Sequence, residues 1–320
     1  MDSVIEITGV TKTFGPKVAV RDFSLSVERG AIYGFIGPNG AGKTTTIRMI
    51  MSIYFPDSGS IRVLGRSDAL RAKDRIGYLP EERGVYKKMR VGAFLEYMGR
   101  LKGLDPGPAL TAKVRHWLER VGLIDCLRKR CEELSKGMQQ KVQFVSSVIH
   151  EPELLILDEP FSGLDPVNMI LLRNLFVEQH KRGCSLIFST HVMHQAEQLC
   201  DHIVMIHNGA KVLDEPTPTV LSRTERREVE FEPVSAPMDW PSVAGVRSFA
   251  RTKESTHVAR LTDDADPSRV IAALAQAVPV RRIELKRGTL EDVFVSIVGE
   301  PVQSSNDWAD SGLQSAGVER

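Results

Sequence analysis

Residues Gly37 to Thr44 read GPNGAGKT, a run that matches G-x-x-x-x-G-K-[ST] and commits the chain to one local geometry. It follows the apolar run IYGFIG and opens KTTTIRMIMSIY, so it joins a short buried strand to a helix predicted over 43–54. Its glycines let successive backbone N–H groups turn toward one centre and cradle phosphate oxygens. Lys43 supplies the charge that neutralises β and γ phosphates, and the Thr44 hydroxyl is placed to ligate Mg²⁺. Gly37, Pro38, Asn39, Gly40, Ala41, Gly42, Lys43, Thr44 and Thr45 are therefore the expected phosphate-binding residues.

The rest of the chain supplies a matching frame. VIEITGVTKTF alternates apolar and polar residues as a half-buried strand does, and FSLSVERGAIYGFIG adds two more short runs broken at Arg29-Gly30. The turn FPDSGS leads to a strand, IRVLG, and RIGYLP is another. Between 91 and 150 the apolar spacing becomes helical, in VGAFLEYMGRLKG and LTAKVRHWLERVGL. ELLILDEP and CSLIFSTH are apolar without alternation, as strands covered on both faces are, and each is followed by a helical run. HIVMIHNGAKVLDE reads as a hairpin about Asn208-Gly209. Strands alternating with helices indicate an α/β nucleotide-binding domain over 1–223. After EPTPTVLSRTERRE come short strands and two helices, a small α+β domain over 224–299. The polar tail, 300–320, is expected to be disordered. No internal repeat is visible.

Two strand ends carry chemistry. Asp158 closes the apolar run LLILD, where P-loop NTPases place the carboxylate that holds Mg²⁺. Glu159 follows and can orient an attacking water or take its proton. His191 ends SLIFSTH at the side of the sheet where such folds bind ligands, within reach of a γ-phosphate or its attacking water. A second anion-binding element lies at LSKGMQQK, where Ser135 and Gly137 stand at the start of an apolar helix. One lysine-bearing loop and two anion loops in one chain form two half-sites, which twofold symmetry would complete.

In that order these motifs resemble the ATP-binding subunit of ABC transporters, over about residues 1–220. LSKGMQ is similar to the family's LSGGQ signature, with Ser135, Gly137 and Gln139 at matching positions and Lys136 and Met138 in place of commoner residues. The resemblance implies an α/β fold of P-loop NTPase, ABC type. It comprises a parallel sheet core, an antiparallel β subdomain and a helical subdomain at about 85–150, followed by the small C-terminal α+β domain. It further implies a head-to-tail homodimer, or a pair with another ATPase subunit, in which Ser135, Gly137 and Gln139 contact ATP held by the partner's phosphate loop. Phe14, 23 residues before Gly37, takes the place of the adenine-stacking aromatic, and Asp165 in SGLD that of a residue communicating across the pair. Glu81 in GYLPEERGVYKKM stands where the family usually has glutamine near Mg²⁺; a carboxylate there keeps a metal contact and adds negative charge.

GYLPEERGVYKKM together with a C-terminal domain ending LEDVFVSIVG is similar to the ABC-2 exporter branch, including its NatA-like sodium-efflux group. That implies ATP hydrolysis with Mg²⁺, driving export through separate integral membrane permeases. A non-transport ABC ATPase working on ribosomes or nucleic acid is the alternative. The interval from Lys43 to Ser135 has no room for the long coiled coil of the chromosome-type members, and the chain has one ATPase domain where translation-type members usually have two. A net charge of +1 favours neither nucleic acid nor an anionic membrane. No apolar run approaches the roughly 18–20 residues that span a bilayer. MDSVIEITGV lacks a signal-type apolar segment. Cys126, Cys131, Cys184 and Cys200 lack C-x-x-C spacing and read as small apolar residues of a reducing compartment. A cytoplasmic protein, peripheral to the membrane through its permease, is expected.

Overall fold

A computed structural model describes residues 3–67, 69–82, 84–222, 228–235, 239–252, 255–286 and 288–299; the tail 300–320 expected to be disordered lies outside them. The chain forms two compact units, Met1–Arg223 and Thr224–Arg320.

In the first unit the elements run β1 (Ser3–Phe14), β2 (Lys17–Glu28), β3 (Ile32–Ile36), α1 (Lys43–Ile50), β4 (Ser58–Val63), β5 (Ile76–Leu79), α2 (Val91–Leu101), α3 (Pro108–Arg120), α4 (Lys136–Val148), β6 (Leu154–Asp158), α5 (Pro166–Lys181), β7 (Ser185–Thr190), α6 (Met193–Leu199), β8 (His202–His207), β9 (Ala210–Pro216) and α7 (Thr217–Ser222). The central sheet has the order β5-β6-β7-β3-β8-β9. Its first five strands are parallel, and β9 returns antiparallel on β8. Every residue of β3, β6 and β7 is buried, the physical reason for their unbroken apolar runs. The β8–β9 hairpin turns at Asn208 and Gly209, both with positive φ, as the Asn-Gly pair predicts. A separate antiparallel sheet, β2-β1-β4, packs its apolar face into the same core as α1.

Three features depart from the sequence reading. Helix α1 ends at Ile50 and not at 54: Ser52 takes φ +56°, and Ile53 and Tyr54 both donate back to the Arg48 carbonyl. The apolar spacing of MSIY continues, but the backbone has left the helix. A kinked 3₁₀ segment, Ala69–Arg75, and the short helix α7 are additional elements.

Helices α2, α3 and α4 form the helical layer. A line of rings ties it to the central sheet, from Trp117 to Phe144 (6.1 Å), Phe176 (5.3 Å), Phe161 (5.2 Å) and Phe188 on β7 (5.7 Å). At the foot of β5, Lys102 donates to the Lys73 and Ile76 carbonyls, both at 2.7 Å, and His150 Nε2 donates to the same Ile76 oxygen at 3.1 Å. Burial, reinforced by the Lys102 charge, pushes His150 down to about 4. The unfolded chain therefore binds a proton between about pH 6.5 and 4 that the folded chain refuses, and stability falls with acidity across that window. A shift of this size is worth about 3 kcal/mol. His150→Gln is expected to flatten the loss of urea stability between pH 7 and pH 4, and an unchanged pH slope would count against this account.

The second unit comprises β10 (Glu228–Pro233), β11 (Val246–Arg251), β12 (His257–Leu261), α8 (Pro267–Ala277), β13 (Val280–Leu285) and α9 (Leu290–Val298). Its strands pair antiparallel in the order β11-β12-β10-β13. Alternating residues Val229 and Phe231 face a core shared with Leu261, Val270 and Leu274. Asp266 caps α8, and Thr289 with Asp292 forms a capping box on α9.

Candidate functional site

The phosphate loop leaves the buried end of β3 and enters α1, and two of its glycines are sterically required. At Gly37 (φ +151°) a Cβ would lie 2.1 Å from the Ile206 carbonyl oxygen on β8; at Gly42 (φ +113°) it would lie 2.7 Å from the Ala19 oxygen. At these two positions the loop passes too close to a strand backbone to admit a side chain. Lys43 is 5 % exposed; its ammonium donates to the Gly37 and Pro38 carbonyls at 2.8 and 3.2 Å and lies 3.6 Å from Glu159 Oε1. Burial lowers its pKa, with Glu159 and Asp158 acting in the opposite direction.

β6 delivers the two acids. Asp158 is 1 % exposed. Its Oδ1 accepts from the hydroxyls of Ser189 (2.5 Å) and Thr44 (3.2 Å), while Oδ2 is buried with no partner among the described residues. Burial raises its carboxyl despite those two donors. A buried carboxylate with one orphaned oxygen, touching a threonine at the head of a phosphate loop, fits an oxygen-seeking cation such as Mg²⁺. Glu159 has left the strand: its φ of +46° lies in the left-handed region, and its N–H is held by Ser189 Oγ (3.1 Å) and Ser189 O (3.2 Å). A non-glycine residue so placed stores about 1–3 kcal/mol of strain. Its carboxylate is held between Lys43 and His191, whose Nδ1 lies 3.0 Å from Oε1.

A pocket of about 350 Å³ is lined by Phe14, Lys17, Ala19, the loop from Asn39 to Thr45, Glu81 and Glu159. Phe14 is 44 % exposed there and not in the core; its ring meets Tyr54 edge-on at 5.3 Å. An exposed, braced ring beside a phosphate loop is a surface on which a base can stack.

Ser135 and Gly137 do not line this pocket. Ser135 is exposed and caps α4, its Oγ accepting from Met138 N at 3.3 Å. Asp165 caps α5 through Asn168. Gln139 likewise does not line this pocket. Its amide nitrogen donates to Cys131 O and Leu134 O, both at 3.1 Å, so that nitrogen braces the loop from within. Sequence reasoning missed Ser189, which holds both acids; its signal was its place two residues before His191, on the same side of the strand end. It also missed Gln140 and Gln143, polar residues buried in an apolar helix.

A phosphate loop after β3, a carboxylate pair at the end of β6 and a histidine after β7 together define a P-loop ATPase. Residues 20–162 match the family model described as ABC transporter, and 221–298 match the model described as ATP-binding protein DrrA1-3-like, C-terminal domain. The chain is 38 % identical over 296 residues to an uncharacterized ABC transporter ATP-binding protein, YhaQ, of Bacillus subtilis (92 % of this chain, 99 % of YhaQ). It is 39 % identical over 215 residues to the ABC transporter ATP-binding protein NatA of the same organism (64 % and 87 %). Over 236 residues it is 36 % identical to the bacitracin transport ATP-binding protein BcrA of Bacillus licheniformis (72 % and 76 %). The chain belongs to the ATP-binding subunits of ABC transporters: it binds ATP and couples its hydrolysis to transport. Among the described residues no helix is long and apolar enough to cross a membrane.

Proposed function

We propose that two copies of this chain, or one copy and a related ATPase subunit, pair head to tail beneath separate permease chains and drive export of a small molecule or ion. The observation that carries the pairing is Gly137. It has no positive φ, and a Cβ there would meet only ordinary contacts, Asn168 Nδ2 at 3.5 Å and Leu164 at 3.8 Å. Nothing among the described residues demands glycine there, whereas close approach of another molecule's phosphate would. Export is supported by the kinship with a bacitracin transport subunit and by the C-terminal domain.

Phe14 stacks the adenine, and the loop N–H groups and Lys43 hold the phosphates. Thr44, Asp158 and Glu81 would hold Mg²⁺, which would supply positive charge against the phosphate oxygens. Glu159 orients the water and takes its proton. The water oxygen bonds to the γ-phosphorus, the bond to the β–γ bridging oxygen breaks, and ADP and phosphate leave. His191 fixes the Glu159 carboxylate, and Lys43 with the partner's copy of the signature loop balances charge in the transition state.

Mixing tests the arrangement. Lys43→Ala and Gly137→Asp should each be inactive alone. Combined, they form mixed pairs in which both defects fall on one site and the other site is whole, so hydrolysis returns. Two inactive variants that stay inactive when mixed, while forming pairs by sedimentation, would overturn the head-to-tail reading. Permease docking is tested by recovery of the subunit from membranes with a polytopic partner, against recovery with ribosomes.

A further inference from the structure

Helix α4 starts at the signature loop and carries Gln143 two turns further on. Gln143 is 4 % exposed, and its amide is spent on one object. Oε1 accepts from Gly84 N at 3.3 Å, while Nε2 reaches the carbonyls of Pro80 (3.4 Å) and Glu82 (3.2 Å). These three backbone groups straddle Glu81, whose side chain lines the nucleotide pocket with Lys43, Thr44 and Glu159. One turn earlier on the same helix, Gln140, 3 % exposed, donates to the carbonyl of Pro160, the residue after Glu159. A primary amide is the side chain that both donates to carbonyls and accepts from an N–H at one point. A buried amide committed this way has no other use for its polar atoms, and the loop has no equivalent alternative tether on this helix among the described residues.

We propose that Gln143 is a positioning residue: it sets where the Glu81 carboxylate stands in the pocket and ties that placement to the helix that begins at Ser135. Glu81 differs from the family's usual neutral glutamine by a full negative charge, and its field acts on both Lys43 and Asp158. A charge so near the phosphates helps when it meets the cation and harms when it drifts toward the γ-phosphate, so its loop is held by its backbone. Because α4 is a continuous helix, displacement of Ser135 and Gly137 by a partner's nucleotide is carried to Glu81 in this chain's own pocket. The proposal rests on the reading of Glu81 as a metal-contacting residue.

The test is a double-mutant cycle on the full chain in a Glu159→Gln background, reading the Mg²⁺ concentration that half-saturates binding of a fluorescent ATP analogue, together with the thermal midpoint. Gln143→Met keeps the volume and removes the three bonds. It should raise the half-saturating Mg²⁺ about 10-fold, as loss of an outer-shell partner does, with the melting temperature little changed. In a chain that also carries Glu81→Ala it should have no further effect. Equal shifts with and without Glu81, or no shift from Gln143→Met while Glu81→Ala alone shifts the curve, would overturn the positioning role. Glu81→Ala without effect would overturn the metal assignment beneath it, and the proposal with it. Should Gln143→Met fail to fold, Gln143→Ser decides by the same cycle.

Discussion

Glu159→Gln should bind ATP at least as tightly as the native chain and remain paired, while steady-state hydrolysis falls roughly 10²–10⁴-fold, the usual worth of a positioned general base. The amide keeps the shape of the side chain, and the backbone restraint from Ser189 is untouched because it acts through the Glu159 N–H. What disappears is a proton acceptor and one negative charge 3.6 Å from Lys43. Losing the charge frees the ammonium for phosphate, so binding does not suffer. Phosphate release and sedimentation in ATP give the two readouts; native turnover in the variant would remove Glu159 from the mechanism.

Gly37→Ala should abolish nucleotide binding and destabilise the first unit. A Cβ 2.1 Å from the backbone oxygen of Ile206 cannot be relieved by a side-chain rotation, because the obstacle is β8 itself. Overpacking of this kind costs about 1–3 kcal/mol, and the left-handed backbone at Gly37 adds about 1–3 kcal/mol for any residue with a Cβ. A total of about 2–6 kcal/mol lowers the melting temperature of a unit this size on the order of 5–20 °C. ATP should then fail to raise the melting temperature of the variant. A Gly37→Ala chain that melts like the native one and is stabilised by ATP would show that the loop does not need to pass so close to β8. The contrast with Gly137, where a Cβ has room, separates a glycine required by the fold from one that only the proposed pairing would require.

How much of this was legible in the sequence depended on whether a residue's neighbours are local. The strands β3, β6 and β7 could be read because burial on both faces writes itself as an apolar run without alternation. The phosphate loop could be read because its geometry is made by glycine spacing. The end of α1 could not, since MSIY keeps helical apolar spacing and only the turn at Ser52 departs from it. Gln140 and Gln143 were invisible for the opposite reason. In QQKVQFV a glutamine suggests a wet face, and only the fold brings Pro160 and the backbone groups of Pro80, Glu82 and Gly84 against it. The family likeness located Gln139 in the signature but could not foresee that its amide nitrogen turns inward to Cys131 and Leu134.

The left-handed backbone of Glu159 sets stability against chemistry at a single position. Glycine would relax that position, but it would also remove the carboxylate that we propose activates water. On that reading turnover and durability favour different amino acids at residue 159.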